Sequence, residues 1–500
     1  MEKILEILKQ QGEALFLFTN IGFWLFFGVV LTGHALFYKK RVLRSSFLLL
    51  VSLYFYYRTG GYFFSLLIFS TITDYFIGIG MGKAQKEAIR RGLLVLSLFL
   101  NLSLLCYFKY TYFFAEVYNS IFDSTIAPVD YLAVFSNNVF GTEFSISDII
   151  LPVGISFFTF QTISYSIDVY RREVKPVKSI VDFGFYVSFF PQLIAGPIVR
   201  ARDFIPQLYQ SFQVSSRQMW GSVWLILAGL LKKMVISDYL SVNLVDRVFE
   251  TPEVYSGFEI LTGIYGYALQ IYCDFSGYTD IAIGVAMLLG FRLPVNFNHP
   301  YKARSLTDFW RRWHISLSAW LKDYLYIPLG GSRKGKIRRG MNLLITMFLG
   351  GLWHGANWRF ILWGLLHGFG LIVDKFFNKL QFKSNWLSRA AGWFFTFHFV
   401  VFAWLIFRSN SLDTVHILLY RLVNTFQPGM VMNIVMGELG VYLILLVGFL
   451  IHFIPDSIKA EWKNKFIALP VVLRIVVTVS VLLIITQLRV ELQPFIYFKF

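Results

Sequence analysis

An all-α, polytopic membrane protein is the fold class this chain predicts, on three observations. Of its 500 residues, 56% are hydrophobic and only 15% charged, against about 25% charged in soluble domains. Apolar runs of about 17 residues and more recur along the whole length, enough to cross a hydrocarbon core as helices, and they lack the strict alternation of a barrel. Lys and Arg outnumber Asp and Glu by 46 to 29, and they gather in short stretches between the apolar runs. That is the positive-inside distribution, so the excess charge meets anionic lipid heads, and no basic patch is left over for nucleic acid.

Taken in order, residues 1–14 mix Glu2, Glu6 and Glu13 with Lys3 and Lys9, unlike the basic start of a cleavable signal. Ile4, Leu5 and Leu8 fall at helical spacing and suggest a short interfacial helix. A first span near 15–37 leads to Lys39, Lys40 and Arg41, and runs at 45–57 and 62–81 turn at Gly60-Gly61. After a span near 92–115, the segment 116–148 carries five acidic residues and neither Lys nor Arg, which assigns it to the outside. A span at 149–168 returns to the basic side. Pro191, Gly196 and Pro197 then predict a bent or re-entrant element over 179–199. The run 219–236 ends in Lys232-Lys233, and 257–291, where Gly277 offers a bend, reads as two spans or one steeply tilted helix. Further apolar runs lie near 341–362, 363–378, 392–407, 413–426, 433–454 and 469–488. The expectation is a single domain, 1–500, of about eleven to fourteen membrane segments, some of them re-entrant. Cys106 and Cys273 both sit in apolar runs and build neither a disulfide framework nor a metal site.

Chemistry concentrates at 308–368, which holds His314, His354 and His367 and six tryptophans. Trp310, Trp313, Leu317, Trp320, Leu321 and Tyr324 share one helical face. This predicts an amphipathic helix lying in the headgroup layer, with His314 at the border of its two faces. The loop from Gly330 to Lys336 imitates a phosphate-binding loop, but Ile337 stands where Ser or Thr would hold magnesium. A basic loop near a lipid or carrier phosphate is the better reading. His354 closes an apolar run between Gly350, Gly351 and Gly355, with Trp353, Asn357 and Trp358 beside it. An apolar site favours neutral imidazole, the form of a general base, although a buried histidine bonded to a carbonyl would look the same. His367, 13 residues on, would be about 20 Å away along an unbroken helix, and it reads as structural. Asp74, Lys109, Asp168, Asp274 and Asp280 are the other intramembrane polar groups. Asp274 and Asp280 are expected to pair with Arg292, Arg304 or Arg311. No zinc-ligand spacing is present.

The stretches Pro191–Pro197, Tyr272–Gly284, Asp308–His314, Tyr324–Gly331 and Gly350–Trp358 together resemble the membrane-bound O-acyltransferase family. They are most similar to its bacterial alginate O-acetyltransferase-like branch, and they cover about residues 150–370. The resemblance implies a helical bowl with a central tunnel. It puts the family's near-invariant histidine at His354 and its second recurring polar position at His314, with Trp353 and Asn357 lining the tunnel. It also implies a thioester donor, acetyl-CoA or another acyl carrier, arriving from the cytoplasm of a bacterium whose inner membrane holds the protein. No tightly bound cofactor or metal is expected. Acetyl would pass to an exported polysaccharide through a separate extracytoplasmic partner protein, since no soluble esterase-like domain is found in the chain. Two other functions are open at this point. One is D-alanyl transfer to teichoic acid from a carrier protein. The other is a transporter without chemistry, with Asp74, Asp168 and Asp280 as relay groups.

Overall fold

The computed structural model describes residues 17–210, 214–379, 385–490 and 493–496. The expected interfacial helix at 1–14 lies outside them. Among the described residues there are helices and connecting segments and no strand. Among the described residues, six helical runs are long and apolar enough to cross a membrane, or seven when the pair Pro428–Gly437 and Leu439–Phe453, bent by 93°, counts as one span. The larger number of segments expected from hydropathy includes helices that pack inside the protein instead of facing lipid. The outermost run, Val471–Leu488, has 11% of its apolar window buried, whereas the helix Ile155–Tyr170 is almost wholly buried.

One helix organises the bundle. Gly257–Leu288 is continuous over 32 residues, about 48 Å at the α-helical rise. It starts at a capping box, in which Ser256 accepts from the Glu259 amide and the Glu259 carboxylate accepts from the Ser256 amide. Of the two readings of this stretch the structure has the single helix, which runs on through Gly277 without a break. That glycine serves packing: a Cβ there would stand 2.8 Å from the carbonyl oxygen of Gly229 on the neighbouring helix Ser216–Leu230. The neighbour runs on through two π-helical stretches, Leu231–Ser237 and Ser241–Val245, to Glu250. Lys232 and Lys233 therefore lie inside a helical run rather than at its end. Lys232 pairs with Asp280 at 2.6 Å, and Lys233 bridges Asp238 at 2.7 Å and Asp274 at 2.8 Å. Both central carboxylates are paired, as expected, but with lysines across the helix interface and not with the arginines downstream. A sequence of turns cannot reveal that facing register.

The Pro-rich element also takes the bent form. Helix Ile180–Ser188 breaks at Phe189, a short turn Phe190–Leu193 follows, and the chain from Asp182 to Ala201 is buried throughout. Irregular backbone at membrane depth is tolerable only when covered by protein in this way. At the far end of the chain, residues 493–496 turn back into the bundle. The Ile496 amide donates to Asp274 at 2.7 Å, and Phe495 packs on Phe275 and Tyr278.

Candidate functional site

The segment expected to be one interfacial helix is in fact broken. Helix Leu306–Arg312 ends at Trp313, His314 takes a left-handed conformation (φ 42°, ψ 56°), and a second helix, Ile315–Leu321, begins. Asn296 from the preceding loop drives the break. Its carbonyl accepts from the Ile315 amide, and its side chain accepts from the Ser316 amide and hydroxyl. A non-glycine residue at positive φ is held there by its surroundings. The consequence is that His314 is wholly buried and not at a facial border. Its ring meets Phe275 of the central helix at 4.7 Å and Trp353 at 6.1 Å.

His354 is the last residue of helix Gly335–His354. Extended backbone at Gly355 then leads to helix Trp358–Lys379. The two helices form a hairpin in close contact, Gly351 against the Phe360 carbonyl and Gly364. The His354 ring packs on Trp353 at 5.0 Å, Trp363 at 5.1 Å and Phe407 at 5.4 Å. His314 and His354 thus share Trp353 as a neighbour. The hairpin also overturns the distance expected for His367, which returns to the other side of Trp363 at 4.7 Å. His367 accepts from the Trp310 indole at 3.3 Å, a structural partner of the kind expected. Asn357 is exposed, and its side chain caps the following helix by accepting from the Arg359 amide. It does not line the cavity beside His354.

That cavity, about 100 Å³, has Lys109, Trp353 and His354 on one wall, and residues 151–157 with Ile194 on the other. Lys109 carried no assigned role from its sequence. Its ammonium donates to the main-chain carbonyls of Trp353 (2.7 Å) and His354 (3.0 Å), and the Tyr110 hydroxyl donates to that of Leu352 (2.8 Å). The signal was one cation in an apolar run; its partners lie more than two hundred residues away. On another side, an apolar cleft of about 360 Å³ lies between Ile315–Leu321, Gly335–His354 and Trp358–Lys379, with Arg311, Lys322 and Lys375 in its walls. The loop Gly330–Lys334 borders an adjoining pocket that shares Lys322 and Tyr326. A π-helical turn, Lys322–Tyr326, precedes this loop where a phosphate-binding loop would have a strand. Among the described residues, no group of His, Cys, Asp or Glu is arranged to hold a metal ion. The relay candidates are tied locally: Asp74 to Ser97, Asn101 and Ser166, Asp168 to Tyr324, and Asp280 to Lys232.

The sequence pattern of the membrane-bound O-acyltransferase (MBOAT) family matches residues 101–413, a stretch that contains both histidines and both walls of the cavity. The chain belongs to this family. It is 38% identical over 399 residues to a probable alginate O-acetylase, AlgI, of Azotobacter vinelandii, covering 79% of this chain and 75% of that one. It is 36% identical over 427 residues to a peptidoglycan O-acetyltransferase of Helicobacter pylori, covering 80% and 76%. A teichoic acid D-alanyltransferase of Bacillus subtilis is 29% identical over 284 residues, covering 53% and 70%. This MBOAT protein is a membrane-embedded O-acyltransferase. The transporter reading falls away with that assignment.

Proposed function

We propose that this O-acyltransferase moves an acetyl group from a cytoplasmic thioester, across the inner membrane of a bacterium, towards an exported polysaccharide. One observation carries the reading: His354 sits at a cavity, while the middle of the helix it terminates walls the apolar cleft that has Arg311, Lys322 and Lys375 in its sides. The cavity's other wall, 151–157, follows the acidic segment that charge distribution assigns to the outside. Acceptor and donor can then approach one histidine from opposite sides. Acetyl is favoured over D-alanyl because the relatives named as O-acetylating enzymes match more of this chain, at higher identity, than the D-alanyltransferases do.

In this mechanism His354 is the general base. It takes the proton of an acceptor hydroxyl as the oxygen attacks the thioester carbonyl, then returns a proton to the departing thiolate. His314 orients the donor side, and Trp353 forms the apolar wall between the two. The cations of the cleft, Arg311, Lys322 and Lys375, suit the phosphates of coenzyme A or of a carrier-bound pantetheine. A separate extracytoplasmic partner carries the acetyl group onward to the polymer hydroxyl. The test is the ester-linked acetyl content of exported polymer in a strain carrying His354→Ala at equal membrane abundance. Loss of about a hundredfold or more is expected for removing a general base. Wild-type acetylation would remove His354 from the chemistry.

A further inference from the structure

The cavity beside His354 contains a lysine, Lys109, that the mechanism above leaves unused. Lys109 lies within the apolar helix Glu87–Phe122, and among the described residues no carboxylate pairs with it. Burying an unpaired ammonium is expensive. Helix capping alone does not account for that expense. The last carbonyls of a helix need donors, and a neutral group supplies them as well: Tyr110 does so for Leu352. Lys109 instead spans the carbonyls of Trp353 and His354, which uses two of the three N–H bonds of an ammonium. The third remains, on a side chain that lines the cavity with His354.

We propose that Lys109 is a catalytic cation of the acyl-transfer site, stabilising the negative charge that develops on the acyl carbonyl oxygen. This rests on His354 acting as the base. When the acceptor oxygen bonds to the acyl carbon, its proton passes to His354 and the carbonyl electron pair moves onto the acyl oxygen, where the Lys109 N–H meets it. The C=O then re-forms, the C–S bond breaks, and the thiolate takes the proton held by His354. The two carbonyl contacts aim the ammonium and tie it to the turn that carries His354, so that cation and base keep one geometry. A dry site makes such a preorganised charge worth far more than it would be in water.

The test compares Lys109→Met, Lys109→Gln and Lys109→Arg with His354→Ala in cells, each expressed over a range of levels. The measured quantity is the ester-linked acyl material released by mild alkali from envelope and exported polymer, per molecule of folded enzyme in the membrane. Removal of an oxyanion donor lowers turnover by about 10² to 10³. Losses of that order are expected for Met and also for Gln, which still offers N–H donors to the two carbonyls. Arg, which keeps charge and donors, is expected to regain activity. Gln acting like wild type would reduce Lys109 to a helix cap, and Arg failing like Met would deny the role of charge; either overturns the proposal. His354→Ala separates the two claims. If it is inactive while Lys109→Gln is active, only the role of Lys109 fails. If it is active, the reading of His354 fails first.

Discussion

His314 is defined by backbone as much as by side chain. His314 occupies the left-handed region, which costs a non-glycine residue about 1–2 kcal/mol. His314→Gly allows that conformation and removes the whole side chain. Wild-type abundance is expected, with transfer reduced about tenfold or more through lost positioning. His314→Val adds a β-branched side chain at positive φ and is expected to lower abundance as well; immunoblots of membranes beside acetyl assays check both. Burial of the imidazole was not legible in the hydropathy pattern, because the break that buries it is made by Asn296 from a separate loop. His354 stands out in the sequence as an ionisable group flanked by glycines inside an apolar run, a pattern shared by a general base and a buried histidine bonded to a carbonyl.

At the scale of elements, close glycine contacts set the two helix pairs that frame the site. Gly277 faces Gly229 between the central helix and Ser216–Leu230, and Gly351 faces Gly364 within the histidine hairpin. Gly277→Ala would put a methyl 2.8 Å from a main-chain oxygen that cannot turn aside. Overpacking of this kind costs about 1–3 kcal/mol, so the variant is expected to melt several degrees lower in detergent, by fluorescence-detected unfolding. An unchanged melting point would mean that the helices slide apart without penalty. The same interface explains why Lys232 and Lys233 are not loop residues. Their partners are three carboxylates, two of them on the facing helix, and a hydropathy window sees only the lysines.

For the molecule as a whole, the basic side carries a polar cluster outside the spans. His299 lies between Asp456 (3.2 Å) and Lys459 (2.8 Å), with Lys302 also on Asp456. Burial first, and then the charge of Lys459, lower the His299 pKa to about 4. The unfolded chain binds a proton near pH 6.5 that the native state refuses until about pH 4. Native stability from this group is therefore complete above pH 6.5 and declines as pH falls towards 4. His299→Gln is expected to flatten the fall in melting temperature across that interval, and an identical slope in the variant would show that other groups set it.

Membrane class, helical content, the re-entrant proline element and the position of His354 all follow from composition and local pattern. Each depends on neighbours in the chain: apolar length, missing N–H groups at proline, or a histidine among glycines. The fates of Gly277, His314, His367, Lys109 and the paired lysines depend on contacts between distant segments. The role of an apolar helix is likewise decided by packing, since Ile155–Tyr170 is an apolar run that other parts of the bundle bury almost wholly. The cavity beside His354 is lined from four separate parts of the chain, Lys109, residues 151–157, Ile194 and Trp353–His354, and the carbonyls of residues 352–354 reach their donors, Lys109 and Tyr110, only in the folded bundle.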